Sequence, residues 1–331
     1  MISKYKISVV IPTFNRASLL DRALGSVFQQ NSTEFEVVVS DNCSTDNTTE
    51  VVEKYRKHNN FKYNRNESNI GMVGNWQKAI CDVATADWFI LLSDDDFIID
   101  RFFISNVINA IDNSNPIFVC SGAEIHDVTE RCIKEFALPF DGLTPGIELF
   151  LSRGKTQPLD SVLCSMAFKR ADALELGFFA NENNLSCDSE LYLKLCTLGD
   201  FYYIKTPQTA YTLHQNNLIR SINKYKEFRD GNIDYLINSI TFAKSHGVSD
   251  HVIKQFIKNT GLKIKLIKTI LMLRVSNEYW YIDFLARINT IAPDLIDLVA
   301  LQVRVLWVFI KPFKSYFYEK YKLISLRSEL N

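Results

Sequence analysis

The sequence predicts an α/β fold, in which a mostly parallel central sheet lies between layers of helices and is followed by a helical C-terminal region. The chain has 331 residues, 47% of them hydrophobic, and can therefore bury a large core. Short β-branched or aromatic runs alternate with amphipathic helical patterns through the first 120 residues. After Phe228 the pattern is almost wholly helical.

Four short apolar runs predict buried strands, because they are rich in β-branched and aromatic residues. They are Lys6–Ile11, Phe35–Ser40, Trp88–Leu92 and Pro116–Ser121. Three segments between the runs carry helical periodicity: Ala17–Gln30, Asp46–His58 and Met72–Thr85. In open α/β sheets, ligands bind at the carboxyl ends of the strands, so we expect the site there.

The pattern loosens between Gly122 and Gly154, where prolines and glycines predict loops. A strand at Ser161–Phe168 and a helix at Asp188–Leu198 are expected next. We place a domain boundary near residue 225. The catalytic domain is then 1–225, with a first half at 1–121 and a second half at 122–225, and the helical, basic C-terminal region is 226–331.

The formal net charge of −1 is the sum of an acidic body and a basic tail. Residues 251–331 carry +7, so residues 1–250 carry −8. This composition excludes a disordered chain, and the absence of a basic surplus argues against a general nucleic-acid binder. Seven scattered cysteines without a C-x-x-C pair are typical of a reducing compartment. No run is long enough for a signal-peptide core or a spanning helix, which predicts a cytoplasmic protein.

Three consecutive aspartates, Asp94 to Asp96, directly follow the predicted strand Trp88–Leu92. Adjacent carboxylates repel one another unless a cation or strong donors lie between them. Mg²⁺ and Mn²⁺ prefer oxygen ligands of this kind. An isolated triplet could equally be a solvated acidic turn, but its place at a strand end favours a metal and ligand site.

Two further strand ends carry polar residues. Asp41 follows the second run and could accept hydrogen bonds from a base or ribose, or form an Asx turn before the next helix. The first run ends in the segment 11–16, Ile-Pro-Thr-Phe-Asn-Arg. Three such turns would surround one crevice.

These motifs, in this order and spacing, resemble the family 2 glycosyltransferases, which have the GT-A fold, a Rossmann-like α/β/α sandwich. The resemblance covers roughly residues 5–220 and rests on four segments: Ser8–Asn15, Asp41–Asp46, Asn69–Gly71 and Leu91–Asp96. With the following Gly74-Asn75-Trp76, the sequence is similar to abequosyltransferase-like and other O-antigen or capsule transferases of bacterial surface polysaccharides.

The resemblance implies an inverting enzyme that moves a sugar from a nucleotide-sugar donor to a hydroxyl of a glycan or lipid-linked acceptor, with Mn²⁺ or Mg²⁺. The implied nucleotide- and donor-binding residues are Pro12, Thr13, Asn15, Asp41, Asn69 and Asp94. The implied metal ligands are Asp95, Asp96 and His214. Ser93 stands where the family commonly has its first aspartate, so two registers are open: Asp94 on the ribose and Asp95 on the metal, or Asp94 and Asp96 as the pair.

The family also has a catalytic carboxylate about a hundred residues further on, and Asp188 matches it. A general base must take a proton from the attacking hydroxyl. Asp188 also fits a helix cap or first-turn acid, and Glu190 competes for the catalytic role. His214 is either a metal ligand or a structural histidine.

The basic tail has two interpretations. The thirteen residues Leu298–Ile310 are interrupted by Arg304, too short and too polar to span a bilayer. Lysines and aromatic residues follow between 311 and 322. The tail either contacts an anionic membrane surface, as a lipid-linked acceptor would favour, or forms a helical bundle or homo-oligomer.

Two other functions remain open. Clustered aspartates would also serve a metal-dependent nucleotidyl- or phosphotransferase, although the sequence has neither G-x-G-x-x-G nor a P-loop. A non-catalytic, membrane-associated scaffold could also keep a sugar-nucleotide fold.

Overall fold

The computed structural model describes residues 4–154, 162–178, 186–214, 225–276, 282, 285–286, 288–289 and 293–311. The chain divides into two compact units. The first comprises residues 1–150 and 156–214, and the second comprises residues 151–155 and 215–331. Residues 312–331, which include the last lysines and aromatic residues of the basic tail, lie outside the described residues.

The first unit begins with four parallel strands in the spatial order β3-β2-β1-β4. These are β1 (Ile7–Thr13), β2 (Phe35–Asp41), β3 (Phe61–Arg65) and β4 (Trp88–Leu91). The helices between them are α1 (Ala17–Phe28), α2 (Thr48–Glu53) and α3 (Met72–Lys78), which ends in a π-helical turn at Ala79–Val83. Strands β1 and β2 are almost wholly buried, as their apolar runs predict.

Beyond β4 the same sheet becomes mixed, in the order β4-β9-β6-β10-β5. The strands are β5 (Phe97–Ile98), β6 (Phe118–His126), β7 (Cys132–Phe136), β8 (Gly142–Thr144), β9 (Met166–Lys169) and β10 (Phe201–Thr212). Strand β9 runs antiparallel to both neighbours, whereas β6 and β10 are parallel. The predicted α/β fold with a C-terminal helical region is confirmed, and the parallel order is concentrated in the first half.

The remaining helices of the first unit are α4 (Phe103–Ser114), α5 (Gly146–Ser152), α6 (Arg170–Glu175) and α7 (Cys187–Leu195). Helix α5 begins against the end of α7. A Cβ placed on Gly146 would lie 2.2 Å from the carbonyl oxygen of Gly199 and 2.5 Å from that of Cys196. Only glycine permits this close approach.

The second unit is helical, with α8 (Tyr225–Ser245), α9 (Asp250–Thr260), α10 (Leu262–Ser276) and α11 (Pro293–Ile310). Ser249 caps α9 through its hydroxyl, and Gly261 ends that helix at φ +62°, a left-handed conformation that favours glycine. None of the described helices is long and apolar enough to cross a membrane.

Several elements differ from the sequence-based expectation. Strands β3 and β10 and helix α4 were not expected, and the region 122–154 contains β7, β8 and α5 rather than loops alone. Strand β3 has no hydrophobic run of its own. It reads Phe-Lys-Tyr-Asn-Arg at an edge of the sheet, where side chains stay half-exposed.

A buried carboxylate, Glu36 on β2, ties together the first strands. Its side chain is fully buried and accepts bonds from Ser8 Oγ (2.7 Å), Thr85 N (2.6 Å) and Lys62 Nζ (2.7 Å). Although burial opposes ionisation, the bonds from Lys62, Thr85 and Ser8 lower the pKa of Glu36. The charged carboxylate therefore links β1, β2, β3 and the turn that leads into β4.

Replacing Glu36 with glutamine should lower the free energy of unfolding by about 1–3 kcal/mol, because a buried amide cannot satisfy three donors as a carboxylate does. Urea denaturation of the full chain measures this. The matched control is Glu53→Gln, whose partner Arg56 forms an exposed ion pair, and its effect should stay within about 0.5 kcal/mol. Equal effects in the two variants would contradict this role for Glu36.

Candidate active site

Three strand ends meet at one edge of the sheet. Thr13 is the register partner of Asp41, and Val10 that of Leu91. The same offset of 81 residues places Thr13 beside Asp94, and Thr13 Oγ1 donates a hydrogen bond of 2.8 Å to Asp94 Oδ2. The register alone therefore brings together predicted donor-binding residues that lie far apart in the sequence.

Arg16 bridges two of the three aspartates. Its Nη1 lies 3.0 Å from Asp94 Oδ1 and 2.8 Å from Asp95 Oδ2. His214 reaches the same oxygen of Asp95, with its Nε2 at 2.8 Å. The carboxylates of Asp94 and Asp95 thus converge on a single cationic group, and the predicted metal ligand His214 stands beside them.

Asp96 is engaged differently from its neighbours. Its Oδ1 accepts a bond of 2.9 Å from the N–H of Thr212 on β10, and the Cys164 thiol also lies within hydrogen-bonding reach. Burial, and next the charge of Asp95, raise the pKa of the Asp96 carboxyl well above its usual value. This geometry favours Asp94 and Asp95 over Asp96 as the pair facing a ligand.

A second arginine, Arg22 on α1, binds the backbone of the aspartate loop, residues 93–96. Its Nη2 donates to the carbonyl oxygen of Asp95 at 2.5 Å and to Thr212 Oγ1 at 2.9 Å. The guanidinium lies 4.6 Å from the ring centroid of Phe97, a cation–π distance. Arg22 therefore holds the backbone of the loop, whereas Arg16 neutralises its side chains.

At the end of β2, Asp41 is fully buried and already paired. Its Oδ1 accepts a bond of 2.8 Å from the N–H of Ser44, and its Oδ2 one of 2.8 Å from the Tyr63 hydroxyl. Burial, together with the bond to Asp41, raises the pKa of Tyr63 to about 12. The Asp41 side chain thus bonds to the backbone three residues on, and in this structure it organises the loop that follows β2.

Asn15 clamps two loops together. It has φ of +54°, its N–H donates to Ser44 Oγ at 2.9 Å, and its Oδ1 accepts from the N–H of Thr45 at 2.7 Å. Asparagine tolerates this left-handed conformation better than most residues. Pro12 lies within β1 opposite Ser40 and is half-buried. Both residues therefore shape the backbone at the edge of the crevice.

Asn69 belongs to a network of side-chain amides. Its Oδ1 accepts from Asn42 Nδ2 at 2.8 Å and from the N–H of Gly71 at 2.9 Å. Asn42 continues the network to Asn66, and Asn66 to Asn75 on α3, at 3.1 and 2.9 Å. The network joins the loop after β2, the loop after β3 and the start of α3 into one unit.

Asp188 lies in the first turn of α7, half-buried, with its Oδ1 accepting a bond of 2.7 Å from the N–H of Ser189. Its competitor Glu190 forms an ion pair of 2.7 Å with Lys194, and both of those side chains are largely buried. An acid held by a lysine is a poorer base than the same acid without that contact, so the ion pair argues against Glu190 as the general base.

The arrangement fits a divalent cation. Two carboxylates contact one cationic atom, Arg16 Nη1, and the imidazole of His214 contacts the second of them at Asp95 Oδ2. Carboxylate oxygens are the ligands that Mg²⁺ and Mn²⁺ prefer.

Arg16, Arg22 and Tyr63 have roles at the site that were not expected from the sequence. The role of Arg16 could have been predicted from the sequence, because Arg16 follows a strand end that must meet the aspartate triplet in a parallel sheet. Arg22 reaches the aspartate loop from a helix, and Tyr63 reaches Asp41 from the neighbouring strand, contacts that no local pattern reveals.

Comparison with known proteins gives matches to enzymes that transfer sugars. The sequence model described as Glycosyl transferase family 2 matches residues 8–172. The poly(ribitol-phosphate) β-N-acetylglucosaminyltransferase TarS of Staphylococcus aureus is 39% identical over 95 residues, which is 28% of this chain and 17% of TarS. The abequosyltransferase RfbV of Salmonella typhimurium is 33% identical over 123 residues, 36% of each chain. This chain thus matches only a minor part of the length of these relatives.

Superposition on solved structures shows that this chain shares the fold of known glycosyltransferases. TarS residues 1–349 in complex with UDP-GlcNAc superpose with a TM-score of 0.63 at 18% identity, covering 96% of this chain and 92% of that one. The mannosyltransferase PcManGT of Pyrobaculum calidifontis, in complex with GDP-Man and Mn²⁺, gives a TM-score of 0.53 at 17% identity, covering 94% and 89%.

The aspartate cluster should give the stability a distinct pH dependence. Burial raises the pKa of Asp94 from its usual 3.8 to about 6, although the charge of Arg16 acts in the opposite direction. Between these two values the folded protein holds a proton that the unfolded chain has lost. The contribution of Asp94 to the free energy of unfolding therefore falls as the pH rises from about 4 to about 6, by up to about 3 kcal/mol.

Chemical denaturation across this pH range, without added metal, measures the effect. Asp94→Asn cannot titrate, so the fall between pH 4 and 6 should be smaller in the variant than in the wild type. Identical pH profiles for the two proteins would contradict the raised pKa.

Proposed function

Because this chain belongs to glycosyl transferase family 2 through residues 8–172, we propose that it is an inverting glycosyltransferase. The donor is a nucleotide sugar, and the acceptor is a hydroxyl of a glycan or lipid-linked sugar in bacterial surface polysaccharide synthesis. The relatives TarS and RfbV, named as transferases of sugars, support this class of reaction.

One observation carries the proposal: the hydrogen-bonded cluster of Thr13, Arg16, Asp94, Asp95 and His214 at the carboxyl ends of parallel strands. This is the edge at which open α/β sheets bind nucleotides. Pro12, Asn15, Asp41 and Asn69 shape the adjoining loops, which form the proposed nucleotide side of the crevice. Thr13 and Asp94 lie where these loops meet the cluster.

We assign the divalent cation to Asp95, with Asp94 and His214 beside it. Mn²⁺ or Mg²⁺ bound there would neutralise the charge that develops on the departing diphosphate. Asp96 holds the loop against β10 through the N–H of Thr212. The guanidinium of Arg16 must exchange carboxylate contacts with the incoming ion, because both use the same oxygens.

Asp188 is the proposed general base. As the acceptor oxygen forms its bond to the anomeric carbon, the bond from that carbon to the diphosphate oxygen breaks. The hydroxyl proton passes to the Asp188 carboxylate, and the negative charge leaves with the nucleoside diphosphate. Attack opposite to the leaving group inverts the anomeric configuration.

A contact of the second unit with the cytoplasmic face of a membrane remains part of the proposal. Residues 251–331 carry +7, and Val305 and Val308 on α11 are exposed. Basic and apolar side chains together suit an anionic lipid surface on which a lipid-linked acceptor would lie.

Asp188→Asn should reduce kcat about 10²- to 10⁴-fold, because the asparagine amide cannot accept the hydroxyl proton. Binding of the nucleoside diphosphate, measured by calorimetry, should stay unchanged. Glu190→Gln is the matched control and should retain activity within several-fold, since its carboxylate is engaged with Lys194. Full activity in Asp188→Asn would remove this residue from the mechanism.

Thermal shifts with UDP, GDP, dTDP and CDP, each with and without Mn²⁺, test the donor site. One nucleotide should raise the Tm more than the others, and only with Mn²⁺. Asp95→Asn should abolish that shift, because the ion loses the carboxylate that both Arg16 and His214 contact. Asp82→Asn, which removes an exposed ion pair with Lys78, should keep it.

Failure of all four nucleotides to raise the Tm would overturn the proposed function. A nucleotide-dependent shift that needs no metal and survives in Asp95→Asn would instead contradict the metal site alone.

A further inference from the structure

A second group of metal-ligating side chains lies on the hairpin of β6 and β7, apart from the aspartate triplet. One ligand atom from each of Glu124, His126 and Cys132 lies within 4.8 Å of the others. Glu124 and His126 are two positions apart on β6 and therefore point to the same face. Cys132 is the register partner of His126 across the hairpin, which places its side chain on that face too.

The sheet holds the histidine in place from several sides. His126 is 7% exposed, packs edge-on against Phe97 at 5.2 Å and accepts a backbone bond from the N–H of Leu213. Its Nε2 lies 2.5 Å from Glu124 Oε2, whereas its Nδ1 is buried and lacks a hydrogen-bond partner within the described part of the chain. The nitrogen that faces Glu124 is therefore Nε2, and it is the one that an ion held by Glu124 would bind.

The ligand set indicates the class of ion. Thiolate, imidazole and carboxylate together favour a borderline ion such as Zn²⁺ over Mg²⁺ or Mn²⁺, which prefer oxygen alone. Around tetrahedral zinc, neighbouring ligand atoms lie about 3.3–3.8 Å apart, a spacing that three atoms within 4.8 Å reach by small side-chain rotations. Cys132 is exposed, so an ion can enter from solvent.

We propose that Glu124, His126 and Cys132 form a zinc site with three protein ligands and one position open to water. Binding releases the thiol proton of Cys132 to solvent and leaves the thiolate on the metal. The ion cross-links the two strands of the hairpin at the point where their register shifts, between Ile125 and His126.

The site adjoins the aspartate loop through one layer of side chains. Phe97, which touches His126, also lies under the guanidinium of Arg22, and Arg22 donates to the carbonyl oxygen of Asp95. Arg22 also pairs with Glu130 in the turn of the hairpin at 3.5 Å. A zinc ion that orders the hairpin would therefore help to fix the position of Arg22 and of the aspartate loop, without itself contacting the donor.

Titration of the full chain with Co²⁺ under reducing conditions tests the proposal, because a cobalt–thiolate bond gives a charge-transfer band that oxygen ligands do not give. We expect the band to saturate at one equivalent and to be displaced by Zn²⁺. Cys132→Ser should abolish it and weaken Zn²⁺ binding, measured against a chromophoric chelator, at least about 100-fold. Cys132 is exposed, so the variant should fold.

Two controls separate this site from others. Cys81→Ser, at another cysteine that is not buried, should keep the band and the affinity. Asp95→Asn should keep both as well, because the aspartate cluster contributes no thiolate. The proposal is overturned if the wild type shows no band at one equivalent, if Cys132→Ser retains it, or if Cys81→Ser loses it equally.

Discussion

Parallel pairing of β1 with β2 on one side and β4 on the other aligns three strand ends at the same edge of the sheet. The contacts between the first strand end and the aspartates depend on this alignment. Thr13 meets Asp94 because the register continues past the last paired residues, and Arg16 can then reach two carboxylates from the next turn. A one-residue slip of β4 would direct its buried side chains to the wrong face, so the packing of the core protects the geometry of the site.

The charges at this edge explain why three aspartates can be buried together. Asp94, Asp95 and Asp96 are each less than 10% exposed, a costly state for ionised carboxylates. The protein offsets the cost in three ways: Arg16 bridges the first two, His214 contacts the second, and the N–H of Thr212 binds the third. The cluster is thus assembled with its own cation, Arg16, with which any metal ion bound here would have to compete for the same oxygens.

The sequence could predict the parts of the fold that depend on local patterns. The runs that became β1, β2 and β4 are continuous and apolar, and the aspartate triplet sits directly after one of them, so its location followed from the strand rule. Strand β10 was missed because Lys205, Thr206 and Pro207 interrupt its apolar pattern and coincide with shifts in its register with β6. Arg22 and Thr212 reach the aspartate loop only because distant elements pack together. Local patterns in one sequence do not reveal such contacts.

The amide network of Asn42, Asn66, Asn69 and Asn75 has a consequence for how the crevice responds to its surroundings. Side-chain amides neither gain nor lose protons in the range in which aspartates and histidines titrate. Acidification therefore changes the charge of Asp94, whose pKa is raised to about 6, but leaves the loops after β2 and β3 joined by the same bonds. The molecule thus combines loops whose shape is insensitive to acid with an aspartate cluster whose charge is not, so a fall in pH would change the charge of the crevice before it changed its shape.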